Sequence, residues 1–286
     1  RIVVAMGPAG RAWRWSRLAG RVSYFAAESA LSTAPGQDTF ADVLPYLSQR
    51  NRPELYLLLG DNPNNNYGES RWNRVFLRRG AAARYINLPC VDAPGLEFGR
   101  SACDWMDAAG IAGASVTKPF KQSFPEPTNT LKRKEHSWQR SNTDALAVVA
   151  LLERHGVLPG QTVIIAGGGG AARAVEHGLR ERGYCVELWV RAEGQLGNMP
   201  RGVALVSTWP GEYQESLLAS LRSDSLRVVI DAQFTRPKEE APLSLWCAVH
   251  GIAYEPGSEW WRIQARKQDE IWFGSERLQR AFEQIY

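Results

Sequence analysis

Residues 162–175 read TVIIAGGGGAARAV, and this stretch constrains the fold more than any other. A short apolar run rich in β-branched residues, 163–166, meets four glycines at once. Small residues then open a predicted helix over 171–182, and a second predicted strand follows at 185–190. Gly167, Gly169 and Ala172 match G-x-G-x-x-G/A, the dinucleotide fingerprint. Gly167 permits the tight turn, Gly169 lets backbone approach a pyrophosphate, and Ala172 lets the helix pack close to the strand. The N–H groups that open the helix, at Gly170 and Ala171, then face the phosphates with the positive end of the helix dipole behind them.

The bulk of the chain suits such a fold. It has 286 residues, 44% hydrophobic and 22% charged, enough for one or two sizeable cores. The net charge of +4 is spread along the chain. Basic residues gather at 131–134 and 262–267, and both groups read as solvated faces, not as a nucleic-acid footprint. Cys90, Cys103, Cys185 and Cys247 are scattered without a C-x-x-C, so neither a disulfide scaffold nor a zinc site is expected, and a reducing cytoplasm fits. No histidine stands at ligand spacing from another histidine or a cysteine, and no metal is expected. The longest apolar run, 145–152, is too short to span a membrane, and no signal peptide is seen. The chain starts at Arg1 instead of Met, as a piece of a longer protein would.

In chain order, 1–6 and 21–26 read as strands, 7–20 as a loop rich in Gly, Arg and Trp, and 39–49 as a helix with Thr39 at its N-cap. After a polar linker at 49–53, predicted strands at 55–59, 83–88 and 113–117 alternate with helices at 71–80 and 96–109, the pattern of βαβ units. Residues 60–70 form a polar turn. Thr117-Lys118-Pro119-Phe120-Lys121 is a strand end running into a proline-started helix. Pro125 and Pro127 then forbid a longer helix before Asn129.

Two resemblances follow from these residues. Met6-Gly7, the Ser16-Arg17 pair and Thr33-Ala34-Pro35-Gly36-Gln37 resemble the C-terminal end of type I 3-dehydroquinate dehydratase, a (β/α)8 barrel. The resemblance implies contacts to that family's substrate from Thr33, Gln37 and an arginine. Spacing to Thr33 makes the arginine Arg14, whereas the Ser-Arg motif makes it Arg17. It covers only about the first 45 residues, and two strands cannot close a barrel, so no dehydratase activity is expected of this chain alone.

From about Leu55 to Gly274 the chain resembles the shikimate dehydrogenase family. The carriers are 115–121 (SVTKPFK), Asn129-Thr130, Asn142-Thr143-Asp144, the glycine turn, the stretch from Asp231 to Pro237, and Gln264-Ala265 followed by Trp272-Phe273-Gly274. The implied fold is α/β and two-lobed, a shikimate dehydrogenase-like fold with a Rossmann NADP-binding lobe, here preceded by a barrel remnant. The implied catalytic pair is Lys121 and Asp144, a proton-handling lysine beside a carboxylate. Substrate contacts are implied at Thr117, Asn129, Gln264 and Phe234, the last standing where the family has tyrosine. At 60–76 the family's two carboxylate-gripping serines become Asn66 and Gly68. The implied cofactor residues are Gly167, Gly169, Gly170, Ala171, Thr208 and Gly257. Arg191 is implied for the 2′-phosphate of NADP, flanked by Val190 and Ala192 in place of two polar residues.

The expected division is 1–49 dehydratase fragment, 50–155 substrate-binding and catalytic domain, 156–257 NADP-binding domain and 258–286 helices returning to the catalytic domain. The expected activity is NADP-dependent, reversible reduction of 3-dehydroshikimate to shikimate in aromatic amino acid biosynthesis, in the cytoplasm. A small molecule is the expected partner, with no nucleic acid and no membrane, and with an upstream dehydratase domain fused or packed on. The alternatives are a quinate or shikimate-analogue dehydrogenase and a catalytically silent metabolite sensor of the same fold.

Overall fold

The structure, a computed structural model, describes residues 10–16, 26–27, 37–47, 53–61, 68–90, 92–135, 137–192, 195–209, 214–233 and 241–274. The expected strands at 1–6 and 21–25, the Thr33–Gly36 turn, Arg17, Asn66, Phe234 and the terminal 275–286 lie outside the described residues. By its internal contacts the chain divides into two units, Arg1–Ser141 with Ser275–Tyr286, and Asn142–Gly274.

The first unit contains α1 (Gly10–Ser16), α2 (Phe40–Leu47), β1 (Glu54–Gly60), α3 (Gly68–Arg78), β2 (Ala83–Pro89), α4 (Leu96–Ala109), β3 (Ile111–Val116), β4 (Thr130–Arg133) and β5 (Trp138–Ser141). They build one sheet in the order β2-β1-β3-β4-β5. β1 lies between β2 and β3, parallel to both, and β4 and β5 add an antiparallel hairpin. Leu55 to Leu59 are buried at every position, as a central parallel strand requires. α4 spans the expected 96–109 and stops at Gly110, whose φ of 71° suits a left-handed cap.

Two local expectations need correction here. The predicted loop at 7–20 contains the helix α1, because Ala12 and Trp15 are wholly buried in the same core as Leu57 and Ile86. Tertiary packing overrides the unpromising composition. The proline-started helix after Thr117 is only a 3-10 turn, Phe120–Gln122. Ser123 N bonds to Phe120 O, and the prolines at 125 and 127 offer no N–H to continue the ladder. The predicted Thr39 cap forms reciprocally: Thr39 N donates to Asp42 Oδ2 at 3.0 Å and Asp42 N to Thr39 Oγ1 at 3.3 Å.

The second unit contains α5 (Thr143–Arg154), β6 (Thr162–Ala166), α6 (Gly170–Arg180), β7 (Cys185–Trp189), β8 (Arg191–Ala192), β9 (Gln195–Leu196), β10 (Ala204–Ser207), α7 (Gln214–Ser220), β11 (Val228–Asp231), α8 (Pro242–His250), β12 (Ala253–Glu255) and α9 (Gly257–Phe273). Its main sheet runs β12-β11-β10-β6-β7, parallel throughout. From β6 the chain goes first to β7 on one side and later to β10 on the other. That reversal makes the β6/β10 crevice the topological switch point of a Rossmann-like sheet.

The sequence groups α5 and α9 with the substrate-binding region. Their contacts lie in the second unit, where Ala147, Val148, Leu151, Trp260 and Ile263 share a core with Val163, Ile165 and Val206. Arg154 at the end of α5 bonds to Glu255 at 3.1 Å and to Glu259 at 2.8 Å, fixing that end against the start of α9. α5 also meets α6 closely: a Cβ on Gly178 would overlap the side chain of Ala145.

Candidate functional site

The glycine turn sits at the carboxyl end of β6, at the switch point. Gly167 has φ of 129°, a conformation that L side chains rarely adopt, and a Cβ there would overlap Thr208 Oγ1. Thr208 is held in place by its own bonds to Ala166 O, 2.9 Å from its N and 3.0 Å from its hydroxyl. Beyond the turn the space opens. A Cβ on Gly169 or Gly170 would meet nothing within 4 Å, and Gly168, Gly169 and Gly170 are all exposed. α6 starts at Gly170 with no side-chain cap, and Ala172 is wholly buried against the sheet. A turn with open space over backbone N–H groups fits a pyrophosphate. The glycines present therefore fit the implied dinucleotide.

Gly257 belongs to the same end of the sheet. A Cβ there would overlap the carbonyl of Gln233. Gln233 is fixed from both sides: its N donates to Asp231 Oδ1 at 3.1 Å and its Nε2 to Trp209 O at 3.0 Å. Asp231, wholly buried at the end of β11, also accepts from the Tyr254 hydroxyl at 3.1 Å. Burial, with the Asp231 carboxylate beside it, raises the Tyr254 pKa, so the phenol stays protonated and donates. Gly167, Thr208 and Gly257 are thus gathered at the carboxyl ends of neighbouring strands. Asp231, Gln233 and Tyr254 support them, and sequence reading missed that role. Only the aspartate of the 231–237 motif signalled any part of it.

Arg191 follows β7 by two residues, and its backbone pairs with Leu196 in the short β8–β9 ladder. That places it past the carboxyl end of the second Rossmann strand, where ribose recognition is read. Its side chain lies outside what is described.

In the first unit, Thr117, Lys121 and Asn129 stand on one closed loop between β3 and β4. Val116 N bonds to Asn129 O at 2.8 Å, Phe120 N to Thr117 O at 2.9 Å, and Thr128 N to Lys121 O at 2.9 Å. The loop is rooted by Phe120, stacked on Phe98 with centroids 4.0 Å apart. Gly99 of α4 lies so close that a Cβ would overlap Ser123 O. Asn129 is buried and Lys121 half-buried. In the second unit, Asp144 is buried in the first turn of α5, whose N-cap Asn142 accepts from Ala145 N at 3.2 Å. Gln264 is half-buried on α9. Lys121 belongs to the first unit and Asp144 to the second. Asn66 and Phe234 fall outside the described residues. Among the described residues, no helix is long and apolar enough to cross a membrane.

No family model matches the chain. It is similar to a shikimate dehydrogenase (NADP(+)) of Anaeromyxobacter sp. strain Fw109-5, with 32% identity over 155 residues, 50% of this chain and 54% of the relative. The chain thus spans about half the length of the curated relatives it matches. Among solved structures it superimposes on shikimate dehydrogenase from Aquifex aeolicus with a TM-score of 0.64 and 21% identity, over 82% of this chain and 98% of that one. It also superimposes on the dehydroquinate dehydratase and shikimate dehydrogenase of S. pombe with a TM-score of 0.61 and 18% identity. That match covers 98% of this chain and 61% of the other. The chain therefore has the α/β fold of shikimate dehydrogenases.

Proposed function

We propose that this chain belongs to the shikimate dehydrogenase family and catalyses the reversible, NADP-dependent reduction of 3-dehydroshikimate to shikimate in aromatic amino acid biosynthesis. The observation that carries the reading is the open glycine turn at the switch point, closed from behind by Thr208. The relative from Anaeromyxobacter, named for the same activity and cofactor, supports it. In this reading residues 50–155 bind substrate, 156–257 bind NADP, and 258–286 serve the substrate through Gln264, although α5 and α9 pack in the second unit. Residues 1–49 are what remains of a dehydratase, fused or packed upstream, and the site of action is the cytoplasm.

Gly167, Gly169, Gly170 and Ala171 would hold the pyrophosphate and Arg191 the 2′-phosphate. Thr208 and Gly257 would flank the nicotinamide. When bound, that ring supplies or accepts the hydride. The remaining work falls to the chain. Lys121, an ammonium on a loop fixed at both ends, hydrogen-bonds the substrate oxygen and gives it a proton as negative charge develops there. Asp144 is the other member of the proposed proton-handling pair, and the proton that Lys121 gives in reduction returns to the lysine in oxidation. The substrate contacts proposed from the resemblance are Thr117, Asn129, Gln264 and Phe234, with Asn66 for the carboxylate.

A second reading rests on one observation. α3 begins at Gly68, without a side chain where the resembled family has a serine. A weakened carboxylate grip would favour a quinate or shikimate analogue as substrate, or a silent metabolite sensor. NADPH formation followed spectrophotometrically with shikimate and with quinate, each with NADP and NAD, decides among them. Turnover of shikimate with NADP supports the first reading, and turnover of quinate alone supports the analogue enzyme. Ligand-induced thermal stabilisation without turnover supports the sensor.

A further inference from the structure

α1 belongs to the region read as a dehydratase remnant, yet it packs in the core of the first unit and sends one charged side chain to the start of α3. Arg11 Nε donates to Asp38 Oδ1 at 2.9 Å, and Nη2 also pairs with that carboxylate. Nη1 donates to Glu69 Oε2 at 2.9 Å, and Nη2 lies 2.7 Å from Oε1. The guanidinium therefore forks across two carboxylates on separate segments. Asp38, whose side chain is wholly buried, also accepts from Trp15 Nε1 at 2.9 Å. Arg84 of β2 is a further cation, 3.4 Å from Asp42, 3.6 Å from Asp38 and 3.7 Å from Glu69, with its guanidinium 4.8 Å from the Trp15 ring centroid.

Glu69 is the link to function. It is in the first turn of α3, directly after Gly68, and its Oε2 also accepts from Asn87 N of β2 at 2.9 Å. Both of its oxygens are thus occupied. We propose that Arg11 is a positioning residue for the substrate site, fixing the first turn of α3 and pairing the charge of Glu69 beside Gly68, which stands in the place read for the substrate carboxylate. This inference rests on the assignment of that turn to the substrate carboxylate.

Without Arg11, Glu69 keeps Arg84, which also serves Asp38 and Asp42. A carboxylate released at the start of α3 repels an anionic substrate, and the first turn loses its tie to α1. Lysine cannot replace the fork, because a single ammonium meets one carboxylate at a time.

The test compares Arg11→Met, Arg11→Lys and the double variant Arg11→Met/Glu69→Gln in the full chain. Arg11→Met is expected to raise KM for shikimate about tenfold or more, the scale of a misplaced binding group, with kcat and KM for NADP within about twofold of the parent. Arg11→Lys should fall between, and the double variant should recover most of the lost KM because the freed carboxylate is gone. Amide hydrogen exchange at residues 68–72 should quicken in Arg11→Met. Unchanged KM and exchange in Arg11→Met would overturn the proposal, as would equal losses for shikimate and NADP or no recovery in the double variant. A parent that turns over nothing would defeat the activity assignment instead, and the exchange measurement would still decide whether Arg11 holds α3.

Discussion

Gly167 lies against Thr208 so closely that a methyl group on its α-carbon would overlap the threonine hydroxyl. The two residues close the carboxyl ends of β6 and β10, paired through Ala166 and Ser207. The turn after β6 can therefore take its shape only with glycine at 167, and the three glycines that follow are exposed. Behind Gly167 the packing is full, and over Gly169 it is empty.

This asymmetry separates two glycine variants. Gly167→Ala must relieve both the overlap and a φ of 129°, at a cost of about 1–3 kcal/mol in stability, and should lose NADP binding as well. Gly169 has φ of −77° and ψ of −175°, open to any residue, so Gly169→Ala should melt within about 1 °C of the parent without ligand. It should still weaken NADP binding, because its methyl group occupies the space read as the pyrophosphate's. Thermal melts and NADP titration by tryptophan fluorescence check both. Equal melting losses in the two variants would contradict the assignment.

Asn142→Ala removes the cap of α5 two residues before Asp144, in the same first turn. The Asn142 side chain accepts from Ala145 N at 3.2 Å, and its loss should cost about 1 kcal/mol in urea unfolding. Asn142→Asp should retain most of that stability. If Asp144 depends on this first turn, the alanine variant should also lower kcat, while the aspartate variant should not.

Glu259 carries a pH dependence with a definite sign. Hydrogen bonds from Arg262, with those from Arg154, outweigh burial and hold its carboxyl at about 2, below the usual 4.5. A group whose folded pKa is depressed contributes stability that is complete above its unfolded pKa and disappears as pH falls through the folded one. The stability difference between the parent and Glu259→Gln should therefore be constant from pH 7 to about 5. It should shrink between about 4.5 and 2. Its plateau should be about 1 kcal/mol, since water still reaches the pair. Urea midpoints measured across that range provide the check.

What could be read from sequence follows the range of the interactions involved. The β6 strand, its glycine turn and α6 are local, with each small residue serving its own segment, and they were legible. So were β1, β2 and α4, where apolar periodicity or a continuous apolar run announces the element. The β4–β5 hairpin was not, because TLKR and WQRS carry little apolar alternation. α1 was hidden for another reason: Trp15 and Arg11 find partners in Asp38, Tyr46, Glu69 and Arg84, all distant in sequence. The support of Gly257 by Gln233, Asp231 and Tyr254 is equally non-local. Lys121 and Asp144 were singled out by motif, since neither has an environment that composition or spacing can reveal.

Lys121 and Arg191 should fail in different kinetic constants. If Lys121 gives its proton to the substrate oxygen as charge develops, the interaction strengthens mainly in the transition state. Lys121→Ala should then lower kcat by about 10²–10⁴ and change KM for shikimate much less. Arg191, past the end of β7, is proposed to meet the 2′-phosphate far from the reacting atoms, and would then bind ground and transition states alike. Arg191→Ala should raise KM for NADP by an amount worth about 1.5–3 kcal/mol, the scale of a charged hydrogen bond, and leave kcat at saturation unchanged. KM for NAD, which has no 2′-phosphate to lose, should hardly move. Initial rates with both cofactors for both variants test the pair together. Intact kcat in Lys121→Ala would remove the lysine from the chemistry, and equal losses for NADP and NAD in Arg191→Ala would make that arginine structural.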